Sequence, residues 1–134
     1  MILTSLTRYR ELGLLILRVG LGAMFVVHGA PKLMGGVERW NGIGGAMSNL
    51  GITQMPALWG FLAALAETGG GVCLILGFAF RPACLLMAFT MGVATMHHLK
   101  RGDSIQTASH AIEAGIVFVS LLLIGPGKYS VDGK

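Results

Sequence analysis

Charge is scarce in this chain, and so is cysteine. Charged residues make up 12 % of its 134 positions, about half the ~25 % of an ordinary soluble domain. A small soluble domain must cover a large surface relative to its volume with polar groups, and here there are too few. Two cysteines exclude a disulfide-stapled secreted mini-protein. Intrinsic disorder requires low hydrophobicity and high charge, whereas 54 % of these residues are hydrophobic and the mean hydropathy is +0.73. No run of alternating polar and apolar residues marks the strands of a membrane barrel. Phosphate-binding loops, nucleophile elbows and zinc spacings are also missing. The net charge of +4 is spread over the flanks of apolar runs, which fits membrane headgroups and not nucleic acid.

What the chain does have is four apolar runs, at about 12–30, 56–77, 82–99 and 108–124. Each is close to the ~20 residues that cross a bilayer as a helix. Run four has no polar stripe between Ile116 and Ile124 apart from Ser120, so it does not read as a soluble amphipathic helix. Pro56 and Pro82 suit first helical turns, Pro31 and Pro126 follow runs one and four as stop signals, and Gly77 and Gly125 suit helix ends. Between runs one and two, Val37, Trp40, Ile43, Met47 and Leu50 recur at three- and four-residue steps before Gly51. That spacing predicts a short amphipathic helix in the membrane interface, anchored by Trp40. The expected fold is all-α: one domain over residues 1–134, an integral membrane four-helix bundle with an interfacial helix. Arg8 and Arg10 precede run one, but His28 and Pro31 stand where a signal-peptide cleavage site would need small residues. Run one therefore reads as a retained anchor. The basic residues split almost evenly between the two sides, and Arg8 with Arg10 places the termini in the cytoplasm.

Ionisable residues inside a span cost about 2.5–3.5 kcal/mol on insertion scales, so they take partners or tasks. Arg18, His28, Glu67, His97, His98, His110 and Glu113 fall within the runs. Counting 1.5 Å per residue puts Glu67 and Glu113 near the midplane and the histidines of three spans in one layer. His110 and Glu113 share a helix face, and Arg18 is long enough to meet Glu67. Beside Glu67 lie Gly69, Gly70 and Gly71, either for close helix packing or for a cavity where a flat ligand meets backbone. A bundle di-metal site uses Glu-x-x-His on two helices, and this chain has a single His-x-x-Glu in reverse order. Metal and haem therefore rank behind a quinone or other small ligand, which needs only one or two donors in an apolar cleft. The alternative is a paired polar core of purely structural role. Cys73 and Cys84 flank the tight turn between runs two and three and read first as structural thiols, with a redox dithiol as the alternative.

The order of short motifs along the chain resembles the DoxX family of small four-helix bacterial membrane proteins. The resemblance rests on Arg18 followed by His28, Gly29 and Lys32, and on Ala66, Glu67, Gly69 and Gly70 with Leu74, Leu76 and Gly77. It continues through Arg81 and Pro82 to Gly125, Pro126, Gly127, Ser130 and Asp132. It implies a multi-pass protein of the bacterial inner membrane linked to redox chemistry, as an oxidoreductase or a subunit of one. The absence of a C-x-x-C pair gives no support to direct sulfur chemistry. The expected site assigns proton exchange to Glu67 and Glu113, and ligand binding to Arg18, His28, Lys32, His98 and His110. A non-catalytic scaffold or partner subunit of an oxidoreductase complex, a small-molecule transporter acting as an oligomer, and a redox partner protein all remain open at this point.

Overall fold

The computed structural model describes residues 2–133. After a 3-10 segment (Thr4–Tyr9) come α1 (Arg10–Leu33), α2 (Gly36–Gly44) with a 3-10 continuation (Gly45–Leu50), α3 (Pro56–Leu76), α4 (Phe80–Lys100) and α5 (Ile105–Ile124). α1, α3, α4 and α5 are each long and apolar enough to cross a bilayer. The helix ends follow from local chemistry. Pro56 opens α3, where its missing N–H costs nothing. Gly77, at φ 67°, closes α3 in the left-handed conformation that glycine adopts without strain. The Ser104 hydroxyl accepts from the Thr107 N–H and caps α5.

Pro31 does not stop α1, which runs on to Leu33. In the last turn a proline removes one hydrogen bond, and the Met34 N–H still reaches the Ala30 carbonyl at 3.0 Å. The predicted short helix forms as α2, and its 3-10 continuation closes at Gly51 with φ 80°. Trp40, however, is tied inward. Its indole N–H lies 3.1 Å from the Lys32 carbonyl and 3.2 Å from that of Leu33, and its ring packs edge-on against Phe61. It caps the end of α1 and joins it to α3.

α1 packs on α3, and α4 on α5. The α1–α3 contact is close because Gly22 faces Gly71: a Cβ on either would stand 2.5–2.6 Å from the other's carbonyl oxygen. Phe25, Leu74, Phe80, Met87 and Phe118 fill the space between the pairs. Large apolar side chains such as Ile16, Val27, Leu85, Ile116 and Leu123 cover the outside, a surface suited to lipid tails and not to water.

Residues 125–133 fold back over the end of the bundle that holds both termini. Asp132 accepts from the Ala79 and Phe80 N–H groups at 3.1 and 2.7 Å, capping α4 from outside its own sequence. The Val131 and Asp132 N–H groups bond to the carbonyls of Leu76 and Gly77. Glu11 accepts from the Lys128 N–H. The Gly-Pro-Gly and Ser-x-Asp residues are thus the hinge and the clasp of this closure.

Candidate functional site

Arg18 is fully buried, yet it does not reach Glu67. Its guanidinium donates to the carbonyls of Tyr129 and Leu74. The latter lies at the C-terminal end of α3, where the helix dipole favours a cation. Among the described residues it meets no carboxylate. Arg18 therefore ties α1 to α3 and to the folded tail.

Glu67 pairs instead with Lys32, whose ammonium lies 3.2 and 3.1 Å from its two carboxylate oxygens. Three features of the chain make this contact. α1 continues through Pro31, so Lys32 stays helical. Gly29 sits one turn before Lys32 on the same face, and a Cβ there would strike Thr68 and Glu67. The missing side chain lets α1 and α3 approach until the lysine can reach down to the carboxylate. The Glu67 side chain is 9 % exposed and that of Lys32 32 %, so the pair is only partly screened.

This ion pair stands in the wall of a cavity of about 560 Å³ enclosed by α2 with its 3-10 continuation, α3 and α4. Ile43, Met47 and Ala63 make its walls apolar. Leu62, Leu86 and Phe89, which also line it, are exposed on the outer surface, so the cavity opens toward lipid. Arg39, His97 and His98 add polar groups. His98 is oriented by the loop after it: its Nδ1 lies 2.8 Å from the Asp103 carboxylate, which also accepts from Arg101. Nε2 is the ring nitrogen left for the cavity. His97 meets the Asn49 amide at 3.3 Å, and Lys100 donates to the Asn49 carbonyl, which fixes the 3-10 segment against α4.

Of the residues predicted from sequence, the cavity gathers Lys32, Glu67 and His98. It does not gather Arg18, His28, His110 or Glu113. His28 and His110 face each other across α1 and α5 with ring centroids 5.4 Å apart, and Phe25 stacks on His110 from within. Both histidines and Glu113 are exposed on the outside of the bundle. The single histidine layer read from depth is thus two groups on different faces, because depth along a helix says nothing of direction around it. Arg39 and His97 were not among the predicted ligand residues. Arg39 lies on α2 outside the apolar runs, and only the fold of α2 onto α3 brings it in. Cys73 and Cys84 are both free thiols. Among the described residues no group of three His, Cys, Asp or Glu side chains is placed to hold a metal ion.

The sequence pattern of the DoxX family matches residues 13–99, which include Lys32, Glu67, His97 and His98. The chain is 33 % identical to the Escherichia coli protein named Inner membrane protein YphA, over 93 % of this chain and 91 % of that one. It is 27 % identical to Inner membrane protein YqjF of the same organism, over 93 % of each. A Bacillus subtilis protein named "Putative oxidoreductase CatD" is 33 % identical over 60 % of this chain and 55 % of its own length. No solved structure matches the chain. With its four apolar helices, its clasped tail and this match, the chain is a membrane protein that belongs to the DoxX family.

Proposed function

We propose that this protein binds a quinone-like, lipid-soluble small molecule in the α2–α3–α4 cavity of the bacterial inner membrane, its termini in the cytoplasm, as part of a membrane oxidoreductase system. The observation that carries the reading is the Lys32–Glu67 ion pair in the wall of an apolar cavity open to lipid. Such a site suits a ligand with a polar head and an apolar tail: the head meets a few fixed donors and the tail stays in hydrocarbon. In the reading, the Lys32 ammonium donates to a ligand oxygen. Glu67 exchanges a proton there, as a carboxylate placed within reach of the ligand head can. His98, aimed by Asp103, offers a second donor or acceptor through Nε2. Reduction of a quinone consumes two electrons with its two protons, so the electrons come from a redox partner protein. The oxidoreductase name of one relative and the inner-membrane names of two others support this assignment. His28, His110, Glu113 and Arg18 lie outside the cavity and have no part in it.

The test is to purify the full chain in mild detergent and analyse its lipid-soluble extract by mass spectrometry, beside an Ala63→Trp variant that fills the cavity. The reading expects a co-purified quinone-like molecule with the native chain and its loss from the variant, at unchanged helical circular dichroism. A chain that carries no such molecule and shows no melting shift with an added short-chain quinone contradicts the reading.

A further inference from the structure

Among the described residues, Gln106 and Glu113 on the outward face of α5 have side chains that no hydrogen bond or ion pair within the chain engages, while Ser120 donates to the Ile116 carbonyl and His110 meets Phe25 and His28. Gln106, His110, Glu113, Val117, Ser120 and Ile124 recur at alternating steps of four and three, the spacing with which one helix lays a continuous seam against another. All of them are exposed except the half-buried Val117. Glu113 stands roughly 12 Å past the start of α5, at the depth of lipid tails. Among the described residues its carboxylate takes part in no hydrogen bond or ion pair. Beside it, the exposed His28 of α1 and His110 form a pair of imidazoles. Gly13 and Gly20, also exposed on α1, have open space around them and allow another helix to approach closely.

We propose that a second copy of this chain packs on the α1–α5 face about a two-fold axis along the bilayer normal, with Glu113 of one copy against His110 and His28 of the other. Charge complementarity selects this partner. An ionisable side chain at this depth needs a partner, and each copy presents one carboxylate beside two imidazoles. A two-fold axis brings unlike groups together twice at once, which satisfies both copies with the same patch. Rotation about the bilayer normal preserves depth. His110 and Glu113 differ by a single turn, about 4.5 Å, within the reach of the two side chains. Polar side chains and small residues are also the groups that hold transmembrane helices together. A different partner protein would need a base of its own at the same depth, whereas a second copy already has one. The inference stands apart from the cavity and its ligand.

Disulfide trapping in native membranes tests it. Ser120 lies on the seam, and Leu86 is exposed on α4, which faces away from it. Under a membrane-permeant oxidant, the full chain with Ser120→Cys is expected to give a band at twice the 14.1 kDa chain mass. That band should exceed, several-fold, those of the unsubstituted chain and of Leu86→Cys. Adding Glu113→Leu to Ser120→Cys should reduce the band several-fold while helical circular dichroism stays unchanged. No double-mass band from Ser120→Cys, an equal band from Leu86→Cys, or a band indifferent to Glu113→Leu each overturns the proposal. A cross-linked product of some other mass means that a different protein covers the face, and it overturns the proposal as well.

Discussion

Arg18, Glu67 and Asp103 each hold their charge with a different partner, the first two inside the bundle and the third in a partly exposed loop. Arg18 takes backbone carbonyls, Glu67 takes the Lys32 ammonium, and Asp103 takes His98 and Arg101 in the loop before α5. At Asp103 the hydrogen bond from His98, and after it that from Arg101, hold the carboxyl below the ordinary carboxylate range. The sign of the effect depends on which state binds the proton first. As acid is added, the unfolded chain protonates Asp103 before the folded one does. The stabilisation is therefore complete above the ordinary carboxylate pKa and is lost as pH falls through the lower folded value. Asp103→Asn is expected to lower the melting temperature at pH 7, and the gap to the unsubstituted protein should close as pH falls below about 4. Differential scanning fluorimetry in detergent across pH measures this. A gap that widens in acid contradicts the assignment.

At the scale of elements, the C-terminal segment does more than its composition announces. It caps α4 through Asp132 and covers the end of α3, and Arg18 holds it from the middle of α1. Arg18→Met keeps the length of the side chain but removes both carbonyl contacts. Hydrogen bonds to a charged group are each worth about 1.5–3 kcal/mol, while Asp132 still anchors the tail, so the variant is expected to stay folded with a looser tail. Limited trypsinolysis should then cut after the exposed Lys128 several-fold faster than in the unsubstituted protein. Equal rates would mean that Arg18 does not hold the tail. The four spans were legible in the sequence because membrane helices declare themselves by length and hydropathy, and α2 declared itself by its three- and four-residue spacing. The end of α1 was not legible at Pro31, since a proline can stop a helix or sit within its last turn, and the residues beyond it decide which. The clasp was visible only as a string of family residues. Nothing local in Asp132 says that it caps a helix starting 52 residues earlier.

Over the whole molecule, the ionisable residues of the spans gather in two regions of different character. One lies between α3 and α4 under α2 and holds the Lys32–Glu67 pair. The other is the outward α1–α5 face with His28, His110 and Glu113. The sequence placed all of these residues inside or at the ends of spans, and depth alone merged them into one pocket. The structure separates them because the buried faces of α1 and α5 are set by Gly22, Phe25 and Gly29 and by Ala111, Ala114 and Phe118, which turns His28, His110 and Glu113 outward. Lys32 was within reach of sequence reasoning as part of the motif that begins at His28. Its pairing with Glu67 was not, because that depends on how closely Gly29 lets α1 approach α3. The central claim is that the α2–α3–α4 cavity is the binding site. It is tested most directly by labelling the full chain, in membranes, with a photoreactive quinone analogue and mapping the modified peptides. The account predicts label on the cavity stretches of α2 and α4, around Ile43–Met47 and Phe89–His98, reduced several-fold by Glu67→Gln with Lys32→Gln. Label concentrated on the outward face of α1 and α5, or spread evenly over all lipid-facing helices, would contradict it.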